Sequence, residues 1–459
     1  MTTENPAART HQGPPSLPEP GVRSTGLRLG ALFGPAIFGV TAAGVALPDV
    51  VRALGTSPSA AAWVLTAHAL ALGIGTALAG RVADARGIRF ILLTGGLILA
   101  AGAVVCLVAP GIGALVAGRF LLAAGSGAMS SAALALAASA TPRQRPGILA
   151  IFGATMSLFS AGATLAGGVV TEWFGWRPTL VLPVLSLLAL PLVLRQAATR
   201  PGTGRSVDGT GALLLTVTAA CFLILIQSSA LSLSAPAVTV VAVLLVLAAA
   251  GLVVRTARNP EGFVPRALVT DLTFVRAAGT GVGVYAGLFG TMYAAPQLLV
   301  RGHGWDVLSV GLWLLPGAVL GAVLSRYASS LAGAGGNVLL TVTALACAAL
   351  LGLAGLLDGG PVFVVLGASF GFAAFAVTQV VTTGLLSART APQRRGGAVA
   401  LLNLTFFVGG GVGSAVAGAL AKSVELASVL AVVAVFPLLG AVFALTLPRA
   451  APGPQGPPR

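Results

Sequence analysis

Apolar residues occur in long runs separated by short polar breaks from about residue 28 to residue 448. The runs fall near 28–50, 62–80, 90–110, 113–137, 147–170, 176–195, 210–229, 234–254, 277–299, 307–330, 337–357, 361–387, 396–421 and 426–448, fourteen in all. Each is close to the roughly 20 residues that a helix needs to cross about 30 Å of hydrocarbon. Within lipid a backbone must satisfy its own hydrogen bonds, and a lone segment does so only as a helix. The pattern therefore predicts an all-α polytopic membrane protein of about 14 transmembrane helices. The proline-bearing stretches 1–26 and 449–459 predict unstructured tails.

Charge sets the expected orientation. With Arg326 near the end of its run, the two tails and alternate breaks account for 21 of the 26 basic residues, among them Arg81, Arg86, Arg89, Arg255, Arg258 and Arg389. The opposite breaks hold only Arg52, Arg177, Arg301 and Lys422. By the positive-inside rule both termini are expected in the cytoplasm. The polar stretch near 255–276 divides the chain into a bundle at 27–196, two inserted helices at 209–255 and a bundle at 277–448, a six plus two plus six plan.

Composition supports the membrane reading: 56% of the 459 residues are hydrophobic and 8% charged, against about 25% charged in soluble domains. A net charge of +15 raises the question of nucleic acid, but the basic residues are spread through the breaks without a clustered basic face, so no nucleic-acid partner is expected. Cys106, Cys221 and Cys347 stand singly in apolar runs and read as small hydrophobes. Arginine outnumbers lysine 25 to one, which points to a GC-rich bacterial genome and a bacterial cytoplasmic membrane.

The break after the second run reads Gly80-Arg81-Val82-Ala83-Asp84-Ala85-Arg86-Gly87-Ile88-Arg89. It resembles the first signature of the major facilitator superfamily. Val45-Ala46-Leu47-Pro48, Trp63-Val64-Leu65-Thr66-Ala67-His68, Arg119-Phe120, Trp176-Arg177 and Leu401-Leu402-Asn403 sharpen the likeness toward its fourteen-helix drug:proton antiporters, and within them toward Gram-positive tetracycline efflux proteins. The resemblance covers about 40–425. It implies that Gly80, Asp84, Arg86, Gly87 and Arg89 form a conformational latch, and that Arg119 serves proton transfer.

Arg119 is the one ionised residue well inside a run, a costly placement that needs a wet cavity or a partner. Its depth suggests Asp49, at the outer end of the first run, as that partner. His68 is the intramembrane group that ordinarily titrates near neutrality and completes the expected proton and charge relay of Arg119, Asp49 and His68; a packing role for this histidine stays open.

Departures from the family pattern are informative. Gly39 stands where such proteins carry an acid, Gly44 replaces an asparagine, Ala163-Thr164 replaces a Gly-Pro pair, and Ser160 occupies the acidic position of the tetracycline group. No acid remains in mid-run to offset a buried cation. If the family's arrangement holds, the cavity is lined by Thr41, Arg119, Ser126, Tyr285, Tyr293, Gln297, Phe375, Thr378 and Gln379, with Asn403 nearby. That wall suits a neutral or anionic amphipathic substrate. Gly162, Gly167, Gly168, Gly409, Gly410, Gly411 and Gly413 are read as close-approach positions between helices, and Gly333 leaves the second half without an acidic latch residue.

These readings make the chain a monomeric secondary transporter exporting a drug or natural product, with protons as the expected coupling ion and no cofactor. A metabolite importer and an uncoupled transporter-like sensor stay open. Scattered His11, His68 and His303 give an enzyme no convergent acid–base or metal site, and no Gly-x-x-x-x-Gly-Lys loop offers ATP drive.

Overall fold

A computed structural model describes residues 21–448, apart from positions 142, 198–201, 203, 205, 206, 229, 230, 332, 333, 358, 359 and 391–394. The described residues form an all-helical protein. The first six runs become α1 (Val22–Phe33), α2 (Thr41–Ala53), α3 (Pro58–Arg86), α4 (Ile88–Val108), α5 (Ile112–Ala138), α6 (Arg145–Phe174), α7 (Trp176–Leu180) and α8 (Ser186–Ala197). The pair expected as an insert forms α9 (Gly209–Ile226) and α10 (Ala235–Arg258), followed by the short α11 (Arg266–Val269). The remainder is α12 (Leu272–His303), α13 (Val307–Ser330), α14 (Ala334–Leu356), α15 (Pro361–Arg389), α16 (Arg395–Leu420), α17 (Leu426–Val433) and α18 (Val435–Leu445).

Among the described residues, twelve helical stretches are long and apolar enough to cross a membrane, and α6, bent by 42° between Ile151–Ser160 and Gly162–Phe174, makes a thirteenth. The remaining run, 176–195, is interrupted: a 3-10 turn at Leu182–Leu185, with Pro183 inside it, separates α7 from α8. The first span is broken in the same way by a 3-10 turn at Gly34–Gly39, with Pro35 as its second residue. Proline removes an amide donor and clashes with the preceding turn, which explains both breaks. The tail expected over 1–26 is shorter than that, because Val22 to Gly26 already belong to α1; the rest of it, the 449–459 tail and Gly333 lie outside the described residues.

Turn chemistry fixes the ends. Gly87, Gly175 and Gly304 take φ values of +91°, +85° and +69°, the left-handed region that glycine enters without steric cost. Ser57 accepts from the Ala60 amide at 3.1 Å to cap α3, and Asp271 and Asp306 cap α12 and α13 through the amides of Thr273 and Ser309, each at 2.7 Å. Two cross-connections carry the architecture: α3 packs along α16, and α6 along α13. Hydrogen bonds join Arg81, Phe263, Asp208 and Arg255 into one group, and Arg389 donates to Thr273 near the start of α12.

Candidate functional site

The two broken spans meet at the depth of Arg119. A 3-10 break leaves carbonyls without their i+4 amides, and in a lipid setting each needs another donor. The Arg119 guanidinium supplies two of them, Nη1 donating to the Leu180 carbonyl at 2.7 Å and Nη2 to the Gly39 carbonyl, while Nε donates to the Val64 carbonyl inside α3 at 3.3 Å. Its side chain is 0% exposed. One residue of α5 thus staples the first span, α3 and the interrupted sixth span together.

This geometry corrects the expected pairing with Asp49. The Asp49 carboxylate accepts instead from Arg52, one helical turn along α2, and is 24% exposed. Depth along a helix fixes one coordinate only; the direction around the helix axis sends Asp49 to the end surface and Arg119 into the bundle. Complete burial also removes Arg119 from the cavity wall on which it was placed.

His68 lies beside Arg119. Its ring is 0% exposed and neither ring nitrogen has a hydrogen-bond partner among the described residues. The ring occupies the space that a side chain at position 39 would need: a Cβ added to Gly39 would overlap it. Glycine at 39 and histidine at 68 are therefore sterically linked.

Of the expected cavity residues, the structure brings together Tyr285, Phe375 and Gln379. The Tyr285 hydroxyl donates to Gln379 Oε1 at 2.7 Å. Its ring lies 4.4 Å from Phe375, 5.0 Å from Phe406, 5.7 Å from Phe407 and 6.3 Å from Phe289, centroid to centroid. These separations fall in the range of favourable aromatic packing. Phe407 reaches the facing half, its Cβ lying 3.0 Å from where a Cβ on Gly73 of α3 would stand. The neighbouring Thr378 is buried with an unpartnered hydroxyl.

The other expected residues stand apart from this cluster. The Tyr293 hydroxyl donates to the Pro58 carbonyl at 2.6 Å, joining α12 to the start of α3, and Gln297 Nε2 donates to the Tyr293 carbonyl at 2.8 Å. Thr41 donates to the Ile37 carbonyl and Asn403 to the Val399 carbonyl, each within its own span. Ser126 is buried with its hydroxyl unpartnered. Phe406 and Phe407 lie outside the spans from which the family arrangement draws its lining, and the adjacent phenylalanines just beyond Asn403 are the available signal; Phe289 shares its span with Tyr285, one turn along, and that spacing is its signal.

In the signature turn, Gly87 makes the tight connection, Asp84, Arg86 and Arg89 are exposed, and the Arg86 guanidinium sits 5.2 Å from the centre of the Phe90 ring. Arg81 makes the crossing contact: Nη2 donates to the carbonyls of Gly262 and Phe263 at 3.3 and 3.2 Å. Gly80 leaves room for Ser131 and Ala400, 3.3 and 3.9 Å from a Cβ at that position. In the second matching motif, Arg177 covers the Trp176 ring at 4.3 Å and donates to the Ala109 carbonyl at 3.0 Å.

The described acids are used at helix ends. Asp208 accepts from the amides of Gly211 and Phe263, both at 3.0 Å, and from Arg255 at 2.9 Å. Burial pushes its carboxyl up, but the two amides and the guanidinium outweigh that and hold it below the usual carboxylate range.

Comparison with known proteins gives a consistent picture. The sequence pattern of the Major Facilitator Superfamily matches residues 29–383. A puromycin resistance protein of Streptomyces alboniger is 36% identical over 178 residues, 38% of this chain and 35% of that protein. The multidrug resistance protein Stp of Mycobacterium tuberculosis is 26% identical over 406 residues, covering 86% of this chain and 74% of its own length. A multidrug resistance protein B homolog of the same organism is 29% identical over 297 residues, 62% of this chain and 54% of the relative.

Proposed function

The chain belongs to the Major Facilitator Superfamily of membrane transporters, and from that premise we propose that it exports an amphipathic aromatic compound of drug or natural-product type by alternating access, coupled to protons. The carrying observation is the cluster of Tyr285, Phe375, Phe406 and Phe407 around one polar contact, Tyr285 to Gln379. Flat rings with a single hydrogen-bonding pair suit a flat apolar solute bearing few polar groups. The described acids lie at helix ends and turns, away from this cluster, so nothing there selects a cation. With Arg119 sealed among carbonyls, a neutral substrate fits better than an anionic one. The resistance proteins among the relatives support the drug class and the outward direction.

We take the arginine-rich end as cytoplasmic on the positive-inside rule, with bundles at 27–196 and 277–448. Contacts at the opposite end then close the outer side: Tyr293 on the Pro58 carbonyl, Gly44 against the Met292 carbonyl and Gly168 against Leu308. The turn from Gly80 to Arg89 keeps the latch role, and its Arg81 ties α3 to the segment after α10 at Gly262 and Phe263. Expression in a drug-sensitive bacterium should raise the inhibitory concentration of puromycin or another flat aromatic antibiotic at least fourfold, about 0.8 kcal/mol on a binding scale. An uncoupler should cancel the gain. A panel with no change, despite protein in the membrane, would refute export of this class.

His68 is the proposed proton carrier. Its ring occupies the space belonging to position 39, where the resembling antiporters carry an acid, and both nitrogens are free to exchange a proton once water enters. His68→Gln is expected to leave folding and counterflow exchange intact while cutting pH-driven uptake into inverted vesicles about tenfold or more, the upper part of the range for losing a positioned proton-transfer group being larger still. Unchanged coupling in that variant removes the role.

A further inference from the structure

The inserted helix α9 lies across the seam between α3 and α16 and touches both. Its two ends are fixed differently from its middle. At the arginine-rich end, Asp208 caps α9, binds Arg255 of α10 and accepts from the Phe263 amide. Phe263 is 3% exposed, and its carbonyl accepts from Arg81 of α3. At the far end, Gln227 is fully buried and its Nε2 donates to Thr66 Oγ1 of α3 at 3.0 Å. Between these points α9 meets α16 through an apolar contact: Leu223 lies over Gly411, its Cδ1 3.0 Å from where a Cβ would stand. Helix α10 leans on α9.

Both hydrogen-bonded anchors therefore fall on α3, at Thr66 and Arg81. They are 15 residues apart in sequence, roughly 22 Å along a helix at 1.5 Å per residue. Two directional anchors that far apart prevent α9 from shifting along α3 or swinging about it. Leu223 on glycine makes no directional bond and can slide. The one described polar link across the seam at this level is the 2.8 Å contact of the Thr66 and Ser414 hydroxyls.

We propose that α9 and α10 are a splint carried by α3: they move as one body with the first six spans, slide over α16 when the seam opens, and keep it covered against lipid. Gln227 and Arg81 are the positioning residues. Opening then costs the Thr66–Ser414 contact and leaves Thr66 still bonded to Gln227.

The inference rests in part on the transport reading, so its test has two arms. In a background with Cys106, Cys221 and Cys347 replaced by alanine, the pairs Thr66→Cys with Gln227→Cys and Leu223→Cys with Gly411→Cys are bridged by a short reducible bifunctional thiol reagent in proteoliposomes. Bridging 66 to 227 should leave at least half of puromycin uptake. Bridging 223 to 411 should cut it more than tenfold, with recovery on reduction. The second arm needs neither transport nor the buried cysteine pairs. Spin labels on exposed Leu244 of α10, Leu97 of α4 and Leu353 of α14 report distances in acidic and neutral buffer. The α10–α4 distance should hold while α10–α14 shifts by about 5 Å, the scale of one element sliding a helical turn past another. An α10–α4 distance that shifts as far as α10–α14, two static distances, or inhibition by the 66–227 bridge alone overturns the splint. Failure of the parent protein to move puromycin, with the distances as expected, counts against the substrate assignment only.

Discussion

Arg119→Lys is expected to destabilise the protein more than Arg119→Met, by about 3–5 kcal/mol against about 2–3 kcal/mol. The ordering follows from where the guanidinium donates. Its three nitrogens reach carbonyls on three separate elements, at Gly39, Val64 and Leu180. A lysine ammonium is one point on a flexible stem and cannot bridge that spread. The lysine variant would keep a buried charge with fewer partners and strand at least one carbonyl as well. Methionine strands the Gly39 and Leu180 carbonyls, each worth about 1–3 kcal/mol when left unpaired, but it removes the desolvated charge. Val64 suffers least, since it lies inside α3, where its carbonyl also serves the helix. Melting curves of the purified variants in detergent settle the order. If lysine preserved both the melting point and transport while methionine lost transport, Arg119 would act as a charge and the staple would be refuted.

The apolar runs were legible because lipid leaves a lone segment few alternatives, and all fourteen coincide with helical stretches among the described residues. Interruptions inside a run were not. Pro35 and Pro183 are visible in the sequence, yet proline is tolerated in membrane helices, and hydropathy averages over the break. That omission concealed the origin of the Arg119 site, because two of the three carbonyls it binds, Gly39 and Leu180, adjoin those breaks. Depth could be counted along the chain, whereas azimuth could not, so Asp49 was assigned to Arg119 although Arg52 holds it. The signature turn revealed its own shape through Gly87 but not its reach: Arg81 contacts Gly262, 181 positions away, and nothing local encodes such a partner. Acidic residues were correctly placed outside mid-span, while their employment as caps on α9, α12 and α13 needed the helix starts to be known.

Glycine gives the second large effect. Sequence reading treated Gly162 and Gly413 alike, as small residues that admit a neighbouring helix, but their surroundings differ. A Cβ on Gly413 would overlap the Ala286 carbonyl and stand 2.6 Å from the Ala286 Cα, all backbone of α12. Four residues earlier on α16, Gly409 meets the Val282 Cα at the same 2.6 Å. Two glycines one turn apart thus set the distance between α12 and α16, and neither obstacle is a side chain that can rotate aside. Gly413→Ala must push the helices apart, which disturbs Phe406 and Phe407 on α16 where they pack on Tyr285 of α12. Overpacking ordinarily costs about 1–3 kcal/mol and more when backbone must shift, so a loss of about 3 kcal/mol or more is expected, with transport abolished. Gly352→Ala in α14 is the control, since nothing lies within 4 Å of its added methyl. There the better helix propensity of alanine should raise stability by up to about 1 kcal/mol. Equal melting points for the two variants would mean that α12 and α16 yield at little cost and that these glycines do not set the spacing of the aromatic cluster.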